Sequence, residues 1–395
     1  MKKMISVPHS KDDVFVHVPP RLNLKYLEGI LSRRLGRDIT ISDCAATNLC
    51  ANNWGGVSNC GSSVLRLTVK LDGGDTLHLV VKVLSPDPVN LFRIDCRFSS
   101  RLAEVAWAEW WGKQDVSWVP VIYDTRADIR AREFWIIREY FPQVGWPGFD
   151  ATKSKGMGHF SADTGRLHKL MRQVALLHGH SRPRIEEIRG ILPATEGVSV
   201  DACPSQTLQS WLRQAVNEAS FLSEIGVTDD ERASMETYCD ALEAVPRWVE
   251  QWDVVCVTAD WGPDNFGIRD GNDSELVTFD WGTTRLAPME EDIDVLFMRI
   301  KDMDSVQKQE LLAHYLEIFA NKTGRQIEPA EFRARIPWAR FFVTLRYLLG
   351  HIEALRWVPH QTRSRELIHL FIGLCKRQME ECRASRMHPT ANGRA

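Results

Sequence analysis

The sequence has no Cys-x-x-Cys pair, no apolar run of membrane-spanning length and no strong excess of either charge, and each lack removes a class of protein. Nine cysteines scattered from Cys44 to Cys382 form neither a disulfide framework nor a zinc ribbon, so reduced and buried thiols are expected. Cys44, Cys50 and Cys60 come nearest to one another without the tight spacing of a metal site. A formal charge of −3 gives no broad positive field to hold a polyanion, which argues against nucleic acid as a partner. The first residues, MKKMISVPHSKDD, lead into no signal-peptide core, and no later run would span a bilayer. A cytoplasmic protein with no membrane partner is therefore expected. The motifs H-E-x-x-H, G-x-x-x-x-G-K-[ST] and G-x-S-x-G are also missing, which sets aside zinc-protease, P-loop and serine-hydrolase chemistry.

What is present is the composition of a folded protein: 395 residues, 44% hydrophobic and 26% charged. That length exceeds what one core usually serves, so two lobes are expected. Residues 64–83 alternate apolar and polar on both sides of Asp72-Gly73-Gly74-Asp75, the pattern of a β-hairpin, and DITISD (38–43) adds a third antiparallel strand. Leu102, Val105 and Ala106 predict a helix over 99–112, followed by strands in VPVIYD and REFWIIREYF. A Gly- and Pro-rich connector from Gln143 places the boundary near Phe141, giving an N-terminal lobe of 1–140 and a C-terminal lobe of 141–395. Beyond it, helical periods recur from Leu167 to His178-Gly179 and at 208–222, 229–244, 290–300, 305–320, 337–356 and 364–384. DVVCVTA, NFGIR and ELVTFDW interrupt them as short strands, the last two joined through DGND. HPTANGRA reads as a frayed tail.

Four features follow one another in order: Lys82 in an apolar strand, Glu104 on the next helix, Asp260 and Asn265 five residues apart, and Asp280 at a strand end. Transfer of a phosphoryl group needs clustered negative charge neutralised while an acceptor hydroxyl is aligned behind phosphorus. A strand lysine steadied by a helix glutamate would bind donor phosphates. Asp260 would take the hydroxyl proton, and Asn265 and Asp280 would hold Mg²⁺ through hard oxygens.

These residues resemble the aminoglycoside phosphotransferase and choline kinase-like family. Its catalytic loop H-G-D-x-x-P-x-N is matched by Thr258-Ala259-Asp260-Trp261-Gly262-Pro263-Asp264-Asn265, and its I-D-W motif with a further Asp by Phe279-Asp280-Trp281 and Asp292. VALLHG at 174–179 and IIREYF at 136–141 also resemble family segments. The resemblance implies an α+β, bilobal protein-kinase-like fold, with a small N-terminal antiparallel sheet and one helix before a larger, mostly helical lobe. It implies an ATP-dependent (or other nucleoside triphosphate-dependent) O-phosphotransferase acting on a hydroxylated small molecule such as an aminoglycoside, amino alcohol or sugar. Lys82 and Glu104 would serve the nucleotide, the backbone of Glu139 and Phe141 would meet the adenine edge, Asp260 would be catalytic, and Asn265 and Asp280 would ligate Mg²⁺. A peptide substrate is disfavoured, since only ten residues separate Asp280 from the helix near 290.

Plainer readings compete. An Asp beside Gly and Pro often caps a turn, a strand lysine can guard a sheet edge, and Glu109 shares Glu104's helix. Asp292 is expected to cap or brace the following helix, Glu290, Glu291, Asp292 and Asp294 to interact with its dipole, and His178 and His180 with helix carbonyls. Trp107, Trp110 and Trp111 read as core, whereas Trp146, Trp261 and Trp281 could line a cleft. Thr258 and Ala259 replace the family's His-Gly, and Gly55, Gly56 and Gly61 do not form G-x-G-x-x-G. The alternative is therefore a catalytically silent module that binds nucleotide or ligand.

Overall fold

Leu24, Leu27, Ile30 and Leu31 recur at helical spacing, and in the computed structural model they are the buried face of α1 (Leu24–Leu35). Asn23 caps this helix by accepting the Tyr26 N–H, and Gly36 ends it at φ +66°. No helix was expected here. The structure describes residues 19–49, 62–84, 101–144, 160, 163–191, 204–250, 252–258, 260–263, 265–269, 276–282, 284–357 and 362–385. Cys50, Cys60, the Gly55–Gly61 loop, Trp146, Ala259, the DGND turn and the HPTANGRA tail lie outside them.

The chain is an α+β protein. Its N-terminal part holds β1 (Ile41–Asn48), β2 (Ser62–Leu71), β3 (Thr76–Leu84), β4 (Ile122–Asp128) and β5 (Glu133–Glu139). They form one antiparallel sheet in the order β1-β2-β3-β5-β4. The hairpin turns at Gly74, φ +87°, as the DGGD sequence indicates. β1 is displaced from the expected DITISD: it starts at Ile41 and continues through Asn48, burying Cys44 and Ala46. Strand alternation divides the sheet's two faces. Leu65, Leu67, Leu79, Val81, Trp135 and Ile137 pack on α1, while Val80, Lys82, Ile136 and Arg138 share the opposite face through the registers Lys82↔Ile136 and Val80↔Arg138. Against that opposite face lies α2 (Arg101–Gly112).

The C-terminal part is mostly helical. It runs β6 (Gln143–Val144), α3 (Thr164–Ser181), α4 (Ile185–Ile191), α5 (Pro204–Asn217), α6 (Ala219–Glu224), α7 (Asp229–Glu243), α8 (Arg247–Glu250), β7 (Val254–Val257), β8 (Phe266–Ile268), β9 (Leu276–Thr278), β10 (Arg285–Pro288), α9 (Glu290–Arg299), α10 (Ser305–Thr323), α11 (Pro329–Trp357) and α12 (Thr362–Ser385). Two small sheets, β6-β8-β9 and β7-β10, sit among the helices. One core runs unbroken from Leu102 and Trp107 of α2 to Leu170, Val255, Trp281 and Tyr315. A second joins α5, α7, α11 and α12. The helix expected over 208–222 is divided into α5 and α6 at Glu218, and several expected ends shift, two of them for a visible reason. α3 passes His178-Gly179 to Ser181, because Gly179 is a packing glycine: a Cβ there would stand 2.7 Å from Lys322 Cγ. α11 starts at Pro329 and runs through Pro337, where a helix start was expected. No helix among the described residues is long and apolar enough to cross a membrane.

The acidic run opens α9 as expected, but its role differs. Glu290, Glu291, Asp292 and Asp294 are all buried, and burial of a carboxylate demands a specific partner rather than a diffuse dipole. Glu291 lies between Arg285 (2.6 Å) and Arg346, Asp294 is paired with Arg340 (2.6 Å), and Glu290 faces Arg335 (3.6 Å). Asp292 serves the site.

Candidate active site

Lys82 reaches out of the middle of β3 from the face that carries Val80. Its ammonium lies 2.5 Å from Glu104 Oε1 and 2.7 Å from Asp280 Oδ1. Glu104 is 1% exposed in the first turn of α2. Glu109, on the same helix, points to solvent and pairs with Lys113 instead. α2 is fixed to the C-terminal part by Trp107 Nε1, which donates to the Thr284 carbonyl at 3.1 Å. The Lys82–Glu104 pair is thus held against the segment that carries Asp280.

Asp280 follows β9 with φ +68°, a left-handed conformation that few L-residues adopt and that Asp tolerates better than most. The strain is sustained by its neighbours. Phe279 N–H donates to the Asn265 carbonyl (3.2 Å), and Thr284 N–H to the Trp281 carbonyl (3.1 Å). Pairing of β8 with β9 brings Phe266 opposite Thr278, so Asn265 and Asp280 leave the same end of the hairpin.

The loop before β8 is wound on itself. Gly262 N–H and Asn265 Nδ2 both donate to the Asp260 carbonyl, at 2.7 and 2.9 Å. The Asn265 amide is thereby oriented with its oxygen away from that bond. Asp260 Oδ1 accepts from Arg299 Nη2 at 3.0 Å, a partner with no local signal in the sequence. The Asp260 side chain is 41% exposed, yet protein crowds its other sides. That crowding pushes the carboxyl above the ordinary carboxylate range; Arg299 pulls it down, and the negative charge of Asp280 pushes it up again.

Support for the loop comes from Asp292. Its Oδ2 accepts the Thr258 N–H (3.0 Å) and contacts His178 Nε2 (3.1 Å), while His178 Nδ1 meets the Tyr315 hydroxyl (2.7 Å). Asp292 therefore braces the approach to Asp260 from below rather than its own helix, and Thr258 is held through its backbone. His178 is buried in this relay and His180 pairs with Gln114, so neither acts on helix carbonyls as expected. Trp261 and Trp281 are core residues, 1% and 2% exposed, not cleft walls.

Glu139 and Phe141 end the sheet beside this loop. Glu139 N–H donates to the Val121 carbonyl (2.8 Å), and its carboxylate clamps Arg269 through two bonds of 3.0 and 2.9 Å. Phe141 is buried, stacked on Phe279 with ring centroids 6.0 Å apart, and its ring fills the space above Gly267. The Arg138 guanidinium lies 4.1 Å over the Phe279 ring and donates to the Glu139 carbonyl at 3.0 Å. A Cβ at Gly267 would stand 2.4 Å from Phe141 Cγ. Gly267→Ala is accordingly expected to destabilise the protein by about 1–3 kcal/mol, the usual overpacking range, measured by urea unfolding; an unchanged midpoint would mean that Phe141 moves freely.

Among the described residues no group of three or more His, Cys, Asp or Glu is gathered for a metal. The Asn265 amide oxygen and the Asp280 carboxylate are instead two hard oxygens carried at the same end of the β8–β9 hairpin. Such a pair suits Mg²⁺, which keeps several waters and takes further ligands from phosphate.

No protein-family model and no curated protein matches the chain. Among solved structures, it is similar to macrolide 2'-phosphotransferase from Brachybacterium faecium (16% identity, 88% of this chain and 98% of that one, TM-score 0.46). It is also similar to a choline/ethanolamine kinase family protein from Mesorhizobium loti (17%, 85% and 92%, TM-score 0.48). A third is choline kinase from Cryptosporidium parvum (12%, 92% and 98%, TM-score 0.49). At these identities and scores nothing about substrate or chemistry transfers to this chain.

Proposed function

We propose that the cleft between the sheet and the β8–β9 hairpin is the active centre of a small-molecule kinase, which moves the terminal phosphoryl group of a nucleoside triphosphate to a hydroxyl. The observation that carries this reading is the Lys82 ammonium between Glu104 and Asp280, two carboxylates from distant parts of the chain. A buried glutamate fixes the lysine's direction, and the lysine neutralises donor phosphates. Magnesium bound by Asn265 and Asp280 would offset the remaining phosphate charge and orient the terminal group. Asp260 accepts the hydroxyl proton as the acceptor oxygen bonds to phosphorus and the bond to the nucleoside diphosphate breaks. Arg299 holds that carboxylate in place.

The test is consumption of nucleoside triphosphate that depends on an added hydroxylated or amino-sugar compound, with mass gain of one phosphate on that compound. Binding without any transfer would reduce the protein to a nucleotide-binding module. Asp280→Ala is expected to weaken nucleotide binding in magnesium by roughly tenfold to hundredfold, the worth of a bond to a charged group, and to change it little in EDTA. Equal losses in both buffers would take Asp280 out of the metal role.

A further inference from the structure

The acidic residues that open α9 are all buried, yet one of them differs from the rest in how its oxygens are used. Glu291 meets Arg285 through Oε2 and Arg346 through Oε1, Asp294 is held through both oxygens by Arg340, and Asp292 Oδ2 accepts the Thr258 N–H. Glu290 is the exception. It is 0% exposed, and among the described residues neither of its carboxylate oxygens accepts a hydrogen bond. From α11 comes Arg335, 3.6 Å away, whose closer bond goes to Glu331 one turn before it. From the segment before β7 acts Asp253, a second buried carboxylate, which takes Arg182 at 2.5 Å and Arg325 at 3.3 Å. From α10 comes the Tyr315 hydroxyl, kept undissociated by its own burial. Two buried carboxylates therefore share the surroundings of one buried guanidinium that is already engaged. An ionised carboxyl removed from water without hydrogen bonds is costly, and the neutral acid is the cheaper form.

We infer that Glu290 is a pH-sensitive switch beneath the loop that carries Asp260: the folded protein holds it as an undissociated carboxylic acid, and its ionisation weakens the seat of α9. That helix bears on the loop twice, since Asp292 holds Thr258 and Arg299 holds Asp260. Burial raises the Glu290 carboxyl from the ordinary 4.5 to about 7, with Arg335 pulling it down and Asp253 pushing it up. Between those two values the unfolded chain is ionised there and the folded chain is protonated. Unfolding then releases a proton, and stability falls as pH rises through this window. Below the lower value and above the upper one the two states carry the same charge at this group, and its contribution no longer varies.

The experiment is urea unfolding of the full chain from about pH 4.5 to about pH 8, for the wild type and for Glu290→Gln, which keeps the shape and cannot ionise. Relative to the variant, the wild type is expected to lose roughly a hundredfold in its folding equilibrium constant across that window, each unit between the two values being worth tenfold. Calorimetry at about pH 6 in buffers of different ionisation heat should show wild-type unfolding releasing about one proton more than unfolding of the variant. A constant difference between the two proteins across the window, or equal proton release, would overturn the assignment. Should Glu290→Gln fail to fold, infrared spectra of protein that retains Glu290 decide. They are recorded on Asp260→Asn, so that the other raised carboxyl does not contribute. A carbonyl band of an undissociated acid, present at about pH 6 and lost by about pH 8.5, is the expected result, and its absence at the lower pH would overturn the switch. None of these readouts needs turnover, so they stand apart from the reaction proposed above.

Discussion

Asp260→Ala is expected, on the proposed reaction, to lower turnover by roughly a hundredfold to ten-thousandfold, the range lost when a positioned general base is removed, with little change in nucleotide affinity. The carboxylate is held by Arg299 at 3.0 Å, so in the proposed reaction its loss would remove proton transfer while Lys82, Glu104 and Asp280 stay. Asp260→Asn keeps the bond to Arg299 and should be nearly as slow, which distinguishes chemistry from positioning. Acceptor-dependent kcat and direct nucleotide titration together check this; full turnover in either variant would remove Asp260 from the reaction. The pH profile gives a second reading. Crowding raises the Asp260 carboxyl, with Arg299 opposing and Asp280 assisting. A base works only when deprotonated, so activity falls as pH drops through that raised value, and the acid limb lies above the ordinary carboxylate range.

Glu291→Ala is expected to destabilise the fold by about 3–5 kcal/mol, because it removes the buried carboxylate that lies between two buried guanidinium groups. Arg285 comes from β10 and Arg346 from α11, each no more than 7% exposed at its side chain, and Glu291 lies between them. An internal comparison is available in Glu109→Ala, which breaks the exposed pair with Lys113 and should change stability by no more than about 0.5 kcal/mol. Denaturant unfolding of both variants measures the difference. Similar small losses would show that water reaches the Arg285–Glu291–Arg346 cluster.

What could be read from the sequence was what local spacing encodes. The hairpin at 64–83 was legible because one face alternates apolar residues and DGGD supplies a turn. α2 was legible from Leu102, Val105 and Ala106. α1 carries the same kind of signal, with Asn23 as cap and Leu24, Leu27, Ile30 and Leu31 on one face, and it could have been found. β10 could not: Arg285, Leu286, Ala287 and Pro288 are all buried, so no alternation marks it, and Pro288 imitates a break. In the site, the order Lys82, Glu104, Asp260, Asn265, Asp280 was visible, but partners supplied from far along the chain were not. Arg299 lies 39 residues from Asp260, and Arg269 lies 130 from Glu139. Asp292 reaches Thr258 from 34 residues away. The acidic run at 290–294 misled for that reason, since the arginines that face Glu290 and Asp294 lie at 335 and 340. Trp261 and Trp281 were read as able to line a cleft, whereas backbone next to Asp260 and Asp280 buries these neighbours in the core.

The Lys82–Asp280 contact bears on the order in which ligands arrive. At rest an ammonium already occupies one oxygen of the carboxylate at 280, so a bare divalent ion must compete with it for a ligand. A triphosphate that carries its own ion offers the lysine replacement anions at the same moment, and the exchange becomes nearly neutral in charge. On the proposed reaction, free magnesium is therefore expected to bind poorly and the chelate to be the species that loads the site.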